Sequence, residues 1–259
     1  EIAADVAAHN GLLSLNDLKN YKTVRAEPIW GEYRGDKVSC GHPPSGGVMM
    51  LEMLNILEHF DLRSMTHNSA DYITIVAEAM KYATIDKDNK MGDPAFDDVP
   101  VKDFIDRQQA GHYAHMIRSG EKANVIRFGE PEESKDTTHV TVVDEAGNCV
   151  SMTHSLGMPS GVVTQGMGFM YNGCMGAFDP RPDMPHSIGS GKRRFTAMCP
   201  TIVFKSDDPY VVIGAPGGTF ITMGVLQAVL NVLDFDMTML EAVAAPRFTA
   251  NSNTIDVSN

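Results

Sequence analysis

The chain has 259 residues, 33 of them acidic and 21 basic, giving a formal net charge of −12. That balance argues against a nucleic-acid partner, whose phosphates would be repelled. Its 43% hydrophobic and 21% charged content is that of a soluble globular protein of one large or two ordinary domains, and no apolar run reaches the roughly 18 to 20 residues that span a bilayer.

The chain opens at Glu1, directly on a helical pattern, so a further N-terminal portion is expected upstream; periplasmic, secreted and cytoplasmic settings all stay open. Residues 1–9 read as a helix stopped by Asn10-Gly11. Ser14 caps a short helix carrying Leu18 and Tyr21, with Asp17 at the capping-box position. Residues 24–40 read as two short strands around the turn Tyr33-Arg34-Gly35-Asp36. Helices follow at 48–60, about 69–87 and 101–118, with an Asp- and Pro-rich loop at 92–100 between the last two. Residues 119–136 are polar and weakly patterned and read as a surface linker. The second half changes character. Val140, Val142 and Val143, then Glu145-Ala146-Gly147, then Val150 and Met152 read as a hairpin, followed by strands at 201–204 and 210–213, a helix at 219–233 and a short helix near 238–244.

The cysteines, Cys40, Cys149, Cys174 and Cys199, form no C-x-x-C pair and read as buried thiols rather than zinc ligands. His112 and His115 sit three apart on a helix but gain no further ligands. Asp86, Asp88, Asp93, Asp97 and Asp98 lack EF-hand spacing and read as a solvated loop. No metal or other cofactor is expected.

The hairpin register carries more information. With a three-residue turn at 145–147, Asp144 faces Asn148 and Thr137 faces Ser155. Alternation then puts Thr137, His139, Thr141 and Val143 on one face, opposite Ser155, Thr153, Ser151 and Cys149. The other face carries Thr138, Val140 and Val142 opposite His154, Met152 and Val150, and suits packing under helices. A hydroxyl-lined face is compatible with a merely solvated strand. It is also compatible with catalysis, because a threonine at a chain N-terminus can use its own α-amine as base. Thr137 would need a cut after Asp136 to become one. His139 and His154 flank this pair and read as structural hydrogen-bonding residues. Gly214-Ala215-Pro216-Gly217-Gly218-Thr219 lies between a strand and a helix. Adjacent glycine N–H groups there can serve as an oxyanion hole or form a plain turn.

Several segments together resemble the γ-glutamyltranspeptidases (glutathione hydrolases) of the N-terminal nucleophile hydrolase superfamily. They are Pro43-Pro44-Ser45-Gly46-Gly47 with Leu54-Asn55-Ile56-Leu57-Glu58, Ala77-Glu78-Ala79 with Lys81-Tyr82-Ala83, Gly92-Asp93-Pro94, and Thr137-Thr138-His139 with Val142-Val143-Asp144 and Gly147-Asn148. Lys192-Arg193, Pro200-Thr201-Ile202-Val203, Gly214 with Pro216-Gly217-Gly218, and Ala245-Pro246-Arg247-Phe248 complete the set in family order. The resemblance implies an α+β fold of the four-layer αββα type and autocatalytic cleavage between Asp136 and Thr137. Residues 1–136 would then be the C-terminal part of a large subunit and 137–259 a small subunit, the two halves remaining paired. It implies Thr137 as nucleophile, Ser155 in place of a threonine that orients it, and Gly217 and Gly218 as the oxyanion hole. The implied reaction is hydrolysis or transfer of a γ-glutamyl group, as from glutathione.

Departures from the family pattern fall in the implied substrate pocket. The positions that hold the glutamyl α-amino group match Gly157, Cys174 and Ala177, and the serine pair that binds the α-carboxylate matches Thr196 and Ala197. The arginine that clamps that carboxylate belongs to a part of the large subunit outside this chain. The stretch between Phe178 and Lys192 is short for the lid loop of some members. A desolvated ammonium needs an acceptor, so the departures open two alternatives. One is a different acyl substrate, as in relatives similar to cephalosporin acylase or an oxamate amidohydrolase. The other is an uncleaved, non-catalytic subunit.

Overall fold

The computed structural model describes residues 1–127 and 137–258. Residues 128–136, including Asp136 of the expected cleavage pair and the later part of the expected linker, lie outside them.

Two short exposed helices, α1 (Ile2–Ala8) and α2 (Leu15–Asn20), come first; α2 carries the capping box between Ser14 and Asp17. Strands β1 (Ile29–Tyr33) and β2 (Asp36–Cys40) then form a hairpin through Arg34 (φ 55°) and Gly35 (φ 85°), a pair of positive φ values whose twist suits a two-residue connection. Helices α3 (Gly47–Leu57) and α4 (Ala70–Lys90) follow. The helix expected over 101–118 is two, α5 (Val101–Phe104) and α6 (Arg107–Arg118), because the Asp106 side chain accepts the Gln108 N–H at 3.0 Å and starts a new helix there.

The second half supplies β3 (Thr137–Val143), β4 (Cys149–Ser155), β5 (Thr201–Lys205), β6 (Asp208–Ile213), α7 (Ile221–Asp234) and α8 (Met239–Ala244). A closing pair, β7 (Arg247–Thr249) and β8 (Asp256–Ser258), was not legible in the sequence.

The main sheet is antiparallel in the order β1-β2-β5-β6. Alternate residues Ile29, Tyr33, Val38, Val203, Val211 and Ile213 are buried, and α3 lies against β1 and β2. Every residue of α3 is buried, which is why its sequence is apolar nearly all round. Gly31 admits the helix: a Cβ there would stand 2.7 Å from Leu51 Cδ2. Helices α4, α6 and α7 pack around α3.

Asp234, at the end of α7, ties the layers together. It accepts the Tyr33 hydroxyl at 2.6 Å and Arg34 Nε at 2.9 Å, while Arg34 Nη2 donates to the Phe60 carbonyl at 2.7 Å. Burial, reinforced by Asp234, pushes the Tyr33 phenol well above its ordinary pKa.

The acidic stretch is more organised than a solvated loop. Asp93 is buried, Asp97 Oδ2 accepts its N–H at 3.1 Å, and its own Oδ2 accepts the Arg193 N–H at 2.7 Å. Among the described residues no cluster of His, Cys, Asp and Glu is placed to hold a metal ion, and no helix is long and apolar enough to cross a membrane.

The β3–β4 hairpin has the expected register at all seven pairs, Thr137 opposite Ser155 through Val143 opposite Cys149. Its turn is fixed by Asp144, whose Oδ1 accepts the N–H groups of Ala146 and Asn148, and by Gly147 at φ 83°. The face expected to pack under helices is left uncovered by the described residues. The apolar face is exposed, with Val142 at 53% and Met152 at 52%, and it is the hydroxyl face that docks on the main sheet. The physical reason is polar. Ser151 Oγ donates to the Ile213 carbonyl at 2.9 Å, and His139 is held by Thr153 Oγ1 at 2.9 Å and seated against Gly214. The described residues thus form an α+β fold in which a helical layer covers the sheet and the hairpin docks at the end of β6.

Candidate active site

Thr137 begins β3 and Ser155 ends β4, so the antiparallel register alone sets them side by side. Their hydroxyl oxygens are 2.9 Å apart, and either can donate. Ser155 Oγ also accepts the Gly157 N–H at 2.9 Å, which orients the serine from its far side. His139, two residues from Thr137 on the same face, is anchored in the hairpin interior. Burial lowers its pKa, which keeps its ring neutral near pH 7. His154 is exposed on the other face, and His112 and His115 lie on α6, away from this site.

Thr137 and Ser155 open onto a cavity of about 530 Å³. Of the residues singled out in the sequence, Gly157, Ala177, Thr196, Ala197 and Gly218 also line it. Cys174 stands just behind that wall, its Sγ donating to the Leu156 carbonyl at 3.2 Å. Gly217, at φ 134°, precedes Gly218, at φ 57°, in the turn before α7. Both backbone conformations favour glycine. No protein acceptor among the described residues takes the N–H of either glycine. Thr196 is pinned by its N–H to the Pro44 carbonyl at 2.8 Å, and its Oγ1 accepts the Met198 N–H at 3.2 Å. The Ala197 carbonyl accepts the Thr222 hydroxyl at 2.8 Å.

Several lining residues escaped the sequence reading, among them Lys87, Arg127, Arg194 and Asn251. Lys87 comes from the last turn of α4, Arg127 from the segment after α6, Arg194 from the irregular segment that holds the noted Lys192-Arg193, and Asn251 from the β7–β8 connection. Asn251 is buried, and its Oδ1 has no partner among the described residues. A run of three basic residues at 192–194 was the available signal for Arg194; nothing local marks Asn251.

An α+β framework that sets the hydroxyls of Thr137 and Ser155 and the backbone of Gly218 about one cavity has the outline of an acyl-transfer site, although Gly217 is not among the residues that line it. The comparisons agree with that outline. The family model "Gamma-glutamyltranspeptidase" matches residues 1–259. The glutathione hydrolase proenzyme of Escherichia coli (strain K12) is 38% identical over 265 residues, covering 96% of this chain and 46% of that protein. Acylase ACY 1 proenzyme of Pseudomonas sp. (strain SE83) is 38% identical over 255 residues, with 97% and 46% covered. Among solved structures, cephalosporin acylase from Bacillus halodurans superposes with a TM-score of 0.85 at 30% identity, over 95% of this chain and 45% of that one. The chain belongs to the γ-glutamyltranspeptidase family, and it spans a little under half the length of these relatives.

Proposed function

We propose that this chain contributes the catalytic centre of an amide hydrolase or acyltransferase that works through Thr137 after cleavage of the Asp136–Thr137 bond. The observation that carries the reading is the 2.9 Å approach of Thr137 Oγ1 and Ser155 Oγ in the wall of a cavity that also contains Gly218. Relatives named as proenzymes support a maturation cut.

In this reading the cut frees the α-amine of Thr137. With an unperturbed pKa of about 7.7–8.0, such an amine is poised to take the proton of its own Oγ near neutral pH, directly or through water. Oγ attacks the amide carbonyl, and the N–H groups of Gly217 and Gly218 stabilise the oxyanion. The C–N bond breaks, the departing amine takes the proton, and an ester to Thr137 remains. Water or an acceptor amine then releases the acyl group and restores the hydroxyl. Ser155 holds the Thr137 hydroxyl in line for attack. Thr196, Ala197, Gly157, Cys174 and Ala177 shape the acyl pocket, which would take a γ-glutamyl compound such as glutathione or a related acyl amide. Residues 1–136 and 137–259 would stay paired as parts of two subunits, and the remainder of the longer protein would complete a four-layer αββα sandwich.

The test is Thr137→Ala in the full-length protein. Both chain cleavage and hydrolysis of acyl anilides are expected to stop. Cleavage proceeding to completion in that variant, seen on a denaturing gel, would remove Thr137 from the mechanism. A wild-type protein that stays in one piece and turns over no acyl anilide would favour a non-catalytic subunit instead.

A further inference from the structure

Two buried thiols meet where the halves of the chain join in the main sheet. Cys40 ends β2, and Cys199 lies just before Thr201, the first residue of β5. The β2–β5 ladder sets Cys40 opposite Thr201. Cys199, two residues along, is then the diagonal neighbour of Cys40, within cross-strand reach on the same face. All three side chains are buried. The Thr201 hydroxyl stands between the sulfurs, 3.6 Å from Cys40 Sγ and 3.4 Å from Cys199 Sγ.

The two thiols also hydrogen-bond to each other. That bond, reinforced by burial, pushes Cys40 well above its ordinary pKa, and the same bond pulls Cys199 below its own against the effect of burial. A thiol of lowered pKa beside one that keeps its proton suits thiol–disulfide exchange, in which the first attacks and the second resolves. The other cysteines are placed apart from this pair. Cys149 begins β4 opposite Val143, and Cys174 donates to the Leu156 carbonyl. The pair also sits behind the candidate site. Thr196, Ala197 and Met198 line the cavity and run directly into Cys199, and the turn that follows Cys40 holds the Thr196 N–H on the Pro44 carbonyl.

We propose that Cys40 and Cys199 are an oxidation site that closes to a disulfide, covalently joining the two halves of the chain across the Asp136–Thr137 cut. The bond itself needs only this fold; its role as a link between subunits rests on the reading of that cut. The oxidant is a small-molecule disulfide. The Cys199 thiolate attacks one of its sulfurs and expels the other as a thiolate. Cys40 then gives up its proton, attacks the Cys199 sulfur of the mixed disulfide and expels the second half. One S–S bond breaks in the oxidant, one forms in the protein, and the two protons leave on the two product thiols. Burial confines the exchange to chains still folding or transiently open, and afterwards shields the finished bond from reductant.

The experiment incubates full-length, processed protein with hydroxyethyl disulfide in urea below the unfolding midpoint, where local opening admits the reagent. Remaining thiols are alkylated under denaturing conditions, and the protein is run on denaturing gels with and without dithiothreitol. The two fragments are expected to migrate as one species without reductant and as two with it. Peptide mass mapping should find the Cys40 and Cys199 peptides joined, two hydrogens lighter than the sum of the free thiols. Cys40→Ser and Cys199→Ser should each lose the linked species, and Cys149→Ser should keep it. The wild-type map stands without the variants if either fails to fold. Alkylated Cys40 and Cys199, a mixed disulfide of either with the reagent as the end product, or a bond from either to another cysteine would overturn the proposal. If the wild-type chain stays uncut, the cleavage reading fails, and the same map judges the oxidation site alone: joined peptides support it, and alkylated ones overturn it.

Discussion

Replacing Ser155 by alanine removes, among its contacts, the 2.9 Å approach to Thr137 Oγ1 and the 2.9 Å hydrogen bond from the Gly157 N–H. A net intramolecular hydrogen bond contributes about 0.5–1.5 kcal/mol. If both act on the orientation of the nucleophile, the barrier rises by about 1–3 kcal/mol, and kcat on an acyl anilide falls about 5- to 150-fold. The effect should sit in kcat rather than KM, because the serine is assigned to the attacking group and not to the acyl chain. Ser155→Thr keeps the hydroxyl and should retain most of the activity. The assay is steady-state hydrolysis by processed protein, with the processed fraction measured on a denaturing gel so that slow maturation is not mistaken for slow chemistry. An Ser155→Ala protein with wild-type kcat would refute the claim that this register pair organises the nucleophile.

Other outcomes follow from the same structure. Gly214→Ala would place a Cβ 2.3 Å from His139 Cε1, in a ring held by Thr153. The overpacking should cost about 1–3 kcal/mol, seen as a lower Tm; an unchanged Tm would mean that the hairpin is not docked as described. Glu52 is buried with neither carboxyl oxygen partnered among the described residues, and burial, then Asp86, raises its pKa well above the ordinary value. The folded state therefore holds a proton that the unfolded state gives up at about pH 4.3. That contribution is full at lower pH and is lost as pH rises toward the folded value. Glu52→Gln should remove this slope and raise the urea midpoint at pH 8 more than at pH 5; an equal change at both would show that Glu52 is not held protonated.

The parts of this fold that were legible in the sequence are those set by local chemistry. Asp144 and Gly147 fix the hairpin turn within a few residues, and from that turn the period-two alternation carries the register to Thr137 and Ser155. The capping box at Ser14 and Asp17 was equally local. What was not legible depended on partners far along the chain. Which hairpin face meets the main sheet is decided by the Ile213 carbonyl and the bare Cα of Gly214, which hold the hydroxyl face. Asp106 breaks a helix pattern that periodicity joins, because its side chain competes for the Gln108 N–H. The β7 and β8 strands are three residues each, too short for an alternating pattern. At the site, Gly157 was singled out as a departure, but the residue that fills the space it leaves, Arg194, is brought there only by the tertiary fold.

The central claim is that Thr137 becomes a chain terminus and then a nucleophile. Intact mass spectrometry of the wild-type full-length protein and of Thr137→Ala, with the N-terminal residue of each fragment identified, tests it most directly. The account predicts two wild-type fragments, one beginning at Thr137, and a single uncut chain for the variant. A wild-type fragment beginning at another residue, or the same cut in Thr137→Ala, would contradict it.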